Sequence, residues 1–337
     1  MRYGQKWLNH AVLRGVRNVK KIDVRFLVDY FCFTISRSDF FSVEADEQFI
    51  FERILGKLFL GGLDYQLRRS FYGYNVTQMS CGICICYGGR DDIYIQMSGQ
   101  GCRAFESLHP GLTWEKYIGY LQLTYTSFHV SRLDIACDTF DLLRLDKIQR
   151  YTMEHRFVSK WRTYLCQIGS NENSVIWGSS ASDFRCRIYD KSQERREKTG
   201  SEDVPENWVR VEFQLRNDRA QSFLYSWFSL GDLSQCFLGV LRNQLIYYSK
   251  FDGVHYDRVE IVSWWERLLG TAGRVKMAYC GGLEYNLESL KDYVVRQAGG
   301  AVRAYVELYG VQKLIDDVKY HPMNQKQADL VDRFSGL

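Results

Sequence analysis

The stretch from Ser182 to Arg216 constrains the fold most strongly, because it has the pattern of two β-strands joined by a charged connection. The pattern predicts strands over Phe184–Lys191 and Trp208–Arg216, with a polar, mobile tip over 193–206. Side chains alternate between the two faces of a strand, so each of these strands has one polar face. On the first strand this face carries Arg185, Arg187, Tyr189 and Lys191, and on the second it carries Arg210, Glu212, Gln214 and Arg216. The other face of the second strand is apolar and is expected to pack on a core.

The chain before this pair of strands is also rich in strand patterns. Residues 22–35 form an apolar run interrupted by Asp29, and residues 63–97 have the short, glycine-punctuated runs of a β-meander. Helical spacing predicts a helix over residues 42–59. Ser98–Gly101 is a glycine turn between a strand and a helix. Its glycines either supply a positive φ or present backbone N–H groups to a phosphate.

A further strand, Phe128–Asp138, places carboxylates among apolar neighbours. Asp134 and Asp138 share one face of it with Arg132. A carboxylate in the middle of such a strand is unfavourable unless it is paired or bound to a metal. The two aspartates lie about 13 Å apart on a regular strand, so one metal ion cannot bind both directly. Asp134 is the better candidate for a metal ligand, whereas Asp138 equally suits a capping role.

Beyond Arg216 the pattern changes to helices punctuated by glycines. Helices are predicted over residues 218–227, 233–248, 259–269, 287–297 and 301–318. The sequence therefore predicts an α+β fold, with a mixed, mainly antiparallel sheet, flanking helices and a helical C-terminal region. The predicted division is an α/β body over residues 1–217 and a helical region over residues 218–337.

Composition excludes some classes of protein. The chain has 337 residues and a formal net charge of only +4, so local charge clusters must decide whether it binds nucleic acid. It shows neither a signal peptide nor the roughly 18–20 consecutive apolar residues of a membrane span. We therefore expect a soluble, cytoplasmic protein with no membrane partner. The ten cysteines are expected to be reduced. Cys84 and Cys86 fit one strand face better than a zinc site, because no second cysteine pair exists.

The polar strand face around Tyr189 suggests a chemistry. A phenol among cations, near a carboxylate that can hold a metal, suits transesterification of a phosphodiester. Arg187 and Lys191 would favour the phenolate or hold the phosphate. A structural interpretation stays open, because Tyr189 is one of 23 tyrosines and Glu212 could simply pair with an arginine on the neighbouring strand.

Five segments occur in an order that resembles the replication initiation factor family of rolling-circle plasmids, which also includes relaxases of conjugative elements. The segments are Ser98–Arg103, Ser131–Asp138, Trp177–Ser180, Arg187–Lys191 and Trp208–Arg216. The resemblance spans residues 70–225. It implies a sequence-specific DNA strand transferase that nicks one strand at an origin and stays attached through a 5′-phosphotyrosine. Such a protein leaves a free 3′-hydroxyl and later reseals the strand.

The resemblance also implies roles for particular residues. By motif, Tyr189 is the nucleophile, and Asp134 and Glu212 hold a divalent metal, with Asp138 as a further candidate. The better-known nicking enzymes use a His-hydrophobic-His pair, to which His129-Val130-Ser131 is the nearest approach here. Oxygen ligands then favour Mg²⁺ or Mn²⁺. The residues 1–217 would carry nicking and origin binding, a host helicase would be a partner, and the protein would act as a homodimer.

Cations outnumber acids between Arg185 and Lys198, and this run either follows a DNA backbone or is a solvated hairpin. The candidate DNA contacts are Arg185, Arg195, Arg196, Lys198 and Arg210. Two other functions remain open. One is a DNA-binding regulator or origin-binding protein without covalent chemistry, and the other is a metal nuclease that uses water. Both would keep their activity when Tyr189 is replaced by Phe.

Overall fold

The computed structural model describes residues 23–41, 47–169, 173–249, 259–277, 299–321 and 331. The strands are β1 (Asp23–Ser36), β2 (Gln66–Arg68), β3 (Val76–Ser80), β4 (Ile83–Tyr87), β5 (Asp92–Met97), β6 (His129–Phe140), β7 (Phe157–Ser159), β8 (Tyr164–Gln167), β9 (Ser174–Trp177), β10 (Phe184–Asp190), β11 (Trp208–Arg216) and β12 (Leu245–Tyr247). The helices are α1 (Arg37–Phe40), α2 (Glu47–Lys57), α3 (Gly99–Leu108), α4 (Trp114–Thr124), α5 (Leu145–Met153), α6 (Lys191–Thr199), α7 (Asn217–Leu230), α8 (Leu233–Gln244), α9 (Ser263–Leu269), α10 (Gly299–Tyr309) and α11 (Val311–Val318).

Ten strands form one sheet in the order β2-β3-β4-β5-β1-β6-β11-β10-β9-β8. Every pairing in it is antiparallel among the residues described. The predicted α+β class, with a mainly antiparallel sheet and flanking helices, is confirmed. The two predicted strands of the opening motif pair as β10 and β11, and β6 and β1 follow them at the centre of the sheet. β7 and β12 form a separate two-stranded sheet.

One face of the large sheet packs against the helices and forms the core. The apolar positions of β11 and β6 point to this side, as their period-two pattern predicts. Phe213 of β11 stacks on Phe237 of α8 with ring centroids 4.1 Å apart, and both are fully buried. The helices after residue 217 thus complete the core of the strands before it.

The described residues group into two compact units, one extending to Met277 and one beginning after it. The predicted boundary between residues 217 and 218 therefore falls inside the first unit. In the second unit, the helix predicted over 301–318 is divided at Gly310 into α10 and α11. The helix predicted over 287–297 lies outside the described residues.

Two local predictions are wrong, one for the connection over residues 193–206 and one for the helix over residues 233–248. The tip predicted as mobile begins with a regular helix, α6, whose N-cap Asp190 accepts a hydrogen bond from the Gln193 N–H over 2.9 Å. Its polar composition concealed the helix, because α6 has only one buried residue. The helix predicted over 233–248 ends at Gln244, and the next three residues form β12 instead.

The glycine turn before α3 is a helix start, as predicted, but for a different reason. Ser98 is the N-cap, and its side chain accepts a hydrogen bond from the Gly101 N–H. Neither glycine of the turn has a positive φ. Gly101 is required because a Cβ there would collide with the backbone of Gly82. The turn is packed against that strand connection, so it offers no cradle for a phosphate.

The expectations of reduced cysteines and of no membrane span can be compared with the described residues. Every cysteine within them is a free thiol, and Cys84 and Cys86 lie on the same strand face with their sulfurs 3.6 Å apart. No helix in this part of the chain is both long enough and apolar enough to span a bilayer.

Candidate active site

Tyr189 lies near the end of β10, opposite Arg210 of β11, and only 4% of it is exposed. Its hydroxyl donates a hydrogen bond to Glu212 Oε2 over 3.1 Å and accepts one from Lys191 Nζ over 3.3 Å. The guanidinium carbon of Arg187 lies 4.4 Å from the centroid of the tyrosine ring. The predicted phenol, its two predicted cations and one predicted carboxylate therefore meet in one place.

The phenol of Tyr189 keeps its proton in this arrangement. Burial, followed by the negative charge of Glu212, raises the pKa of Tyr189 well above its usual value. Arg210 lowers this pKa but does not reverse the effect. Nearby cations therefore do not by themselves produce the phenolate in this arrangement. A nucleophilic role requires a group that removes the proton.

Glu212 is positioned to remove that proton. Burial, with additional repulsion from the carboxylates of Asp134 and Asp29, raises the pKa of Glu212 to about 7. A carboxyl group with a pKa near neutrality can both accept and return a proton at physiological pH. Because its Oε2 already accepts the phenol hydrogen bond, Glu212 has the contact and the basicity that a general base needs.

Asp29 is a site residue whose only mark in the sequence is that it interrupts an apolar strand. It is the extra residue of a β-bulge in β1, between Val28 opposite Ile135 and Tyr30 opposite Asp134. Its Oδ2 accepts a hydrogen bond from Arg210 Nη1 over 2.8 Å. The signal that could have identified it is the charge itself, because an unpaired carboxylate is unfavourable in the middle of an apolar strand.

Arg210 and Asp138 form a buried ion pair between β11 and β6. The distances are 2.6 Å from Arg210 Nε to Asp138 Oδ1 and 2.9 Å from Nη2 to Oδ2. Their side chains are 4% and 1% exposed. Arg210 is therefore a structural cation that holds β6, β11 and the β1 bulge together, rather than the DNA contact that was predicted. Asp138 neutralises this arginine, so its carboxylate has a structural role, and its predicted part in metal binding stays a prediction.

Asp134 and Glu212 provide carboxylate oxygens, which suit a hard divalent cation such as Mg²⁺. Asp134 lies opposite Gln214 on β11, so Glu212 is its diagonal neighbour. Both oxygens of Asp134 accept hydrogen bonds from Arg132, over 3.0 and 2.6 Å, and each oxygen has a further lone pair. Within the described residues no cluster of three or more His, Cys, Asp or Glu side chains could hold a metal. Mg²⁺ commonly uses one or two carboxylates together with phosphate oxygens and water, and Asp134 and Glu212 fit that pattern.

The other predicted cations divide into two groups. Arg185 shares the Tyr189 face of β10, and its Nη1 lies 3.3 Å from the side chain of Gln214. Arg195 and Arg196 are exposed on α6, directly after the site, and Lys198 on the same helix is paired with Glu194. Glu194 also binds Lys191 and so fixes that lysine beside Tyr189. The structure thus places a helix with exposed arginines next to the buried phenol.

Comparison with known proteins assigns the chain to a family. The model of the family described as replication initiation factor matches residues 128–317, which is more than half of the chain and includes β6, β10 and β11. The chain therefore belongs to the replication initiation factor family.

A curated relative and a solved structure are also similar to this chain. The chain is 25% identical over 224 residues to the Bacillus subtilis (strain 168) protein named "Putative DNA relaxase NicK". That match covers 61% of this chain and 62% of the relative, which is less than two thirds of its length. The fold resembles that of a rolling circle replication initiator protein from Geobacillus stearothermophilus, with a TM-score of 0.59 and 24% identity. The similarity covers 75% of this chain and 99% of that structure.

Proposed function

We propose that this chain is a DNA nicking and joining protein that attacks one strand through Tyr189, in rolling-circle replication or conjugative transfer. The observation that supports this most is the hydrogen bond from the Tyr189 hydroxyl to Glu212, a carboxyl group whose pKa is about 7. A structural tyrosine needs only a hydrogen-bond acceptor. A nucleophilic tyrosine needs a base whose pKa lies near the working pH.

The proposed reaction assigns a step to each group. Glu212 takes the phenol proton as the Tyr189 oxygen attacks the phosphorus atom. The bond between phosphorus and the 3′ oxygen breaks, and that oxygen takes a proton to become a free 3′-hydroxyl. The 5′ phosphate remains on Tyr189, which keeps the energy of the phosphodiester for resealing without ATP. Lys191, which lies 3.3 Å from the phenol oxygen, offsets negative charge that develops there.

Asp134 and Glu212 Oε1, the oxygen that does not accept the phenol hydrogen bond, would hold a Mg²⁺ or Mn²⁺ ion. When bound, this ion would polarise the scissile phosphate and offset charge on its oxygens. Arg132 orients the Asp134 carboxylate by a two-point hydrogen bond. The ion pair of Arg210 with Asp138 and Asp29 keeps the strands of the site in register.

DNA would approach along the cations beside the site. We propose that its phosphates contact Arg195 and Arg196 on α6 and Arg185 and Arg187 on β10. Lys198 would add to the positive electrostatic potential at this surface. A host helicase and a second copy of this chain remain proposed partners, supported by the resemblance to the family.

The test uses a 3′-end-labelled, randomised single-stranded DNA pool with Mn²⁺ on a denaturing gel. An attacking tyrosine retains the 3′-labelled fragment, so wild type should give a labelled band that migrates with the protein. Tyr189→Phe should give neither adduct nor nick. Glu212→Gln should bind DNA but lose at least 100-fold in adduct rate, because general-base catalysis contributes about 10²–10⁴-fold.

Tyr225→Phe is the matched control, because Tyr225 is an exposed tyrosine on α7. It should form the adduct at the wild-type rate. If Tyr189→Phe still nicks without an adduct, water is the nucleophile and the protein is a metal nuclease. If it nicks and still forms an adduct, another tyrosine is the nucleophile. If wild type binds the pool but never nicks it, the binding protein without covalent chemistry is the better interpretation.

A further inference from the structure

The polar face of the sheet continues beyond Tyr189 and Glu212 onto β1, which also carries Asp29, and onto β5. Tyr30 on β1 lies opposite Asp134, and Tyr94 on β5 lies opposite Thr34 of β1. Because opposite residues of antiparallel strands share a face, both tyrosines lie on the Tyr189 side of the sheet. We call Tyr30, Tyr72 and Tyr94 the tyrosine face. All three are at least partly exposed to solvent.

Tyr72 is held in an unusual conformation over this face. Its φ is 54°, a left-handed value that bulky side chains rarely adopt, and Gly73 follows it. Its ring centroid lies 5.3 Å from that of Tyr94, yet 66% of the residue is exposed. The turn therefore presents an aromatic ring to solvent beside a second ring on the sheet.

Arg132 connects the tyrosine face to the proposed active site. Its guanidinium carbon lies 4.1 Å from the centroid of the Tyr30 ring, and the same guanidinium binds both oxygens of Asp134. Arg216 lies opposite Arg132 on β11, and Arg185 follows on β10. The rings of the tyrosine face are thus followed across the sheet by arginines on β6, β11 and β10.

We propose that the tyrosine face binds an unpaired DNA strand, with bases stacked on Tyr72 and Tyr94 and phosphates facing the arginines of β6, β10 and β11. This inference rests on the proposed function, because it names the surface that would hold the DNA strand that Tyr189 attacks. Stacked rings bind any unpaired base through its flat face, whereas a duplex hides those faces inside the helix. The arginines provide the positive charge that the phosphates require.

The test compares the affinity for a fluorescein-labelled 15-nucleotide mixed-sequence single strand with that for the duplex of the same sequence. Tyr72→Ala should weaken single-strand binding about tenfold, since the loss of one base stacked on an aromatic ring lowers affinity by about this factor. Duplex binding should stay within about twofold. Tyr72→Phe keeps the ring and should restore wild-type affinity. Tyr225→Ala, which removes an exposed tyrosine from α7, should change neither affinity.

The outcomes separate this inference from the proposed function. If wild type forms the Tyr189 adduct and Tyr72→Ala binds the single strand as wild type does, the tyrosine face is not the binding site, whereas the nicking function stands. If Tyr72→Ala loses single-strand affinity and wild type forms no adduct, the tyrosine face is the binding site, whereas the proposed nicking function is wrong. If Tyr72→Ala changes the sedimentation of the free protein and not its DNA affinity, the face is a self-association surface and the inference is overturned.

Discussion

Replacement of Arg210 by Met tests whether the site depends on one buried cation. Arg210 makes three charge-assisted hydrogen bonds, two to Asp138 and one to Asp29, at 2.6–2.9 Å. Methionine keeps most of the side-chain length and apolar volume, so the main loss is the positive charge. Asp138 would then be a fully buried carboxylate without a cation, while Asp29 is partly exposed and can be solvated by water.

The expected loss of unfolding free energy is about 4 kcal/mol, because removal of one partner from a buried ion pair typically costs about 3–5 kcal/mol. In a unit of this size that loss corresponds to a decrease in Tm of about 10 °C. Denaturant unfolding followed by circular dichroism measures it as a lower midpoint with an unchanged slope.

Arg216→Met is the control, since Arg216 lies on the same strand and face but is partly exposed. It should lose less than about 0.5 kcal/mol. The double variant Arg210→Met/Asp138→Leu should recover most of the stability, because it removes the uncompensated charge as well. A loss below about 1 kcal/mol for Arg210→Met would refute the argument that this pair is buried and essential.

Two further predictions concern α6 and α8. Hydrogen bonds from Lys191 and Lys198 outweigh burial and lower the pKa of Glu194 to about 2. This shift corresponds to about 3 kcal/mol, and solvent screening of the exposed Lys198 reduces the stabilisation to about 2 kcal/mol. The ionised carboxylate provides it above roughly pH 4.5, and it is lost as the pH falls towards 2. Urea unfolding of Glu194→Gln should show a weaker pH dependence in that window, and an unchanged dependence would contradict the ion pairs. Phe237→Ala should lose about 3–5 kcal/mol because the ring stacks on Phe213 in the core. If instead only α8 melts and the sheet keeps its stability, the helices after residue 217 form a separate unit.

The sequence predicted the sheet and the core of the site because both follow from local patterns. Period-two alternation defined the polar faces of β10 and β11. The antiparallel register then brought Tyr189 and Glu212 together, as one shared face implies. The order of motifs along the chain indicated the family, and the match over residues 128–317 confirms it.

The errors come from features that a one-dimensional pattern does not contain. The burial of Tyr189 and the sign of its pKa shift depend on how the other strands surround it. Arg210 looked like one more surface cation, but β6 and the β1 bulge supply carboxylates that bury it. Asp29 belongs to the site only because a bulge changes the register at that residue.

The helical region shows a second kind of limit. The amphipathic patterns of α7 and α8 predicted helices correctly but could not show which core their apolar faces complete. Phe237 stacks on Phe213, so these helices belong with the sheet that precedes them. A change in composition after Arg216 therefore marked a change in secondary structure and not the end of the compact unit.

The measurement that tests the central claim most directly is mass spectrometry of the protein after reaction with single-stranded DNA, nuclease digestion and trypsin. Trypsin cleaves after Arg187 and Lys191, so Tyr189 lies in the short peptide Ile188–Lys191. The proposed mechanism predicts that this peptide carries one nucleotide phosphate on its tyrosine and that the Glu212→Gln protein yields far less of it. A nucleotide on any other tyrosine, or cut DNA without any protein-linked nucleotide, would contradict the mechanism.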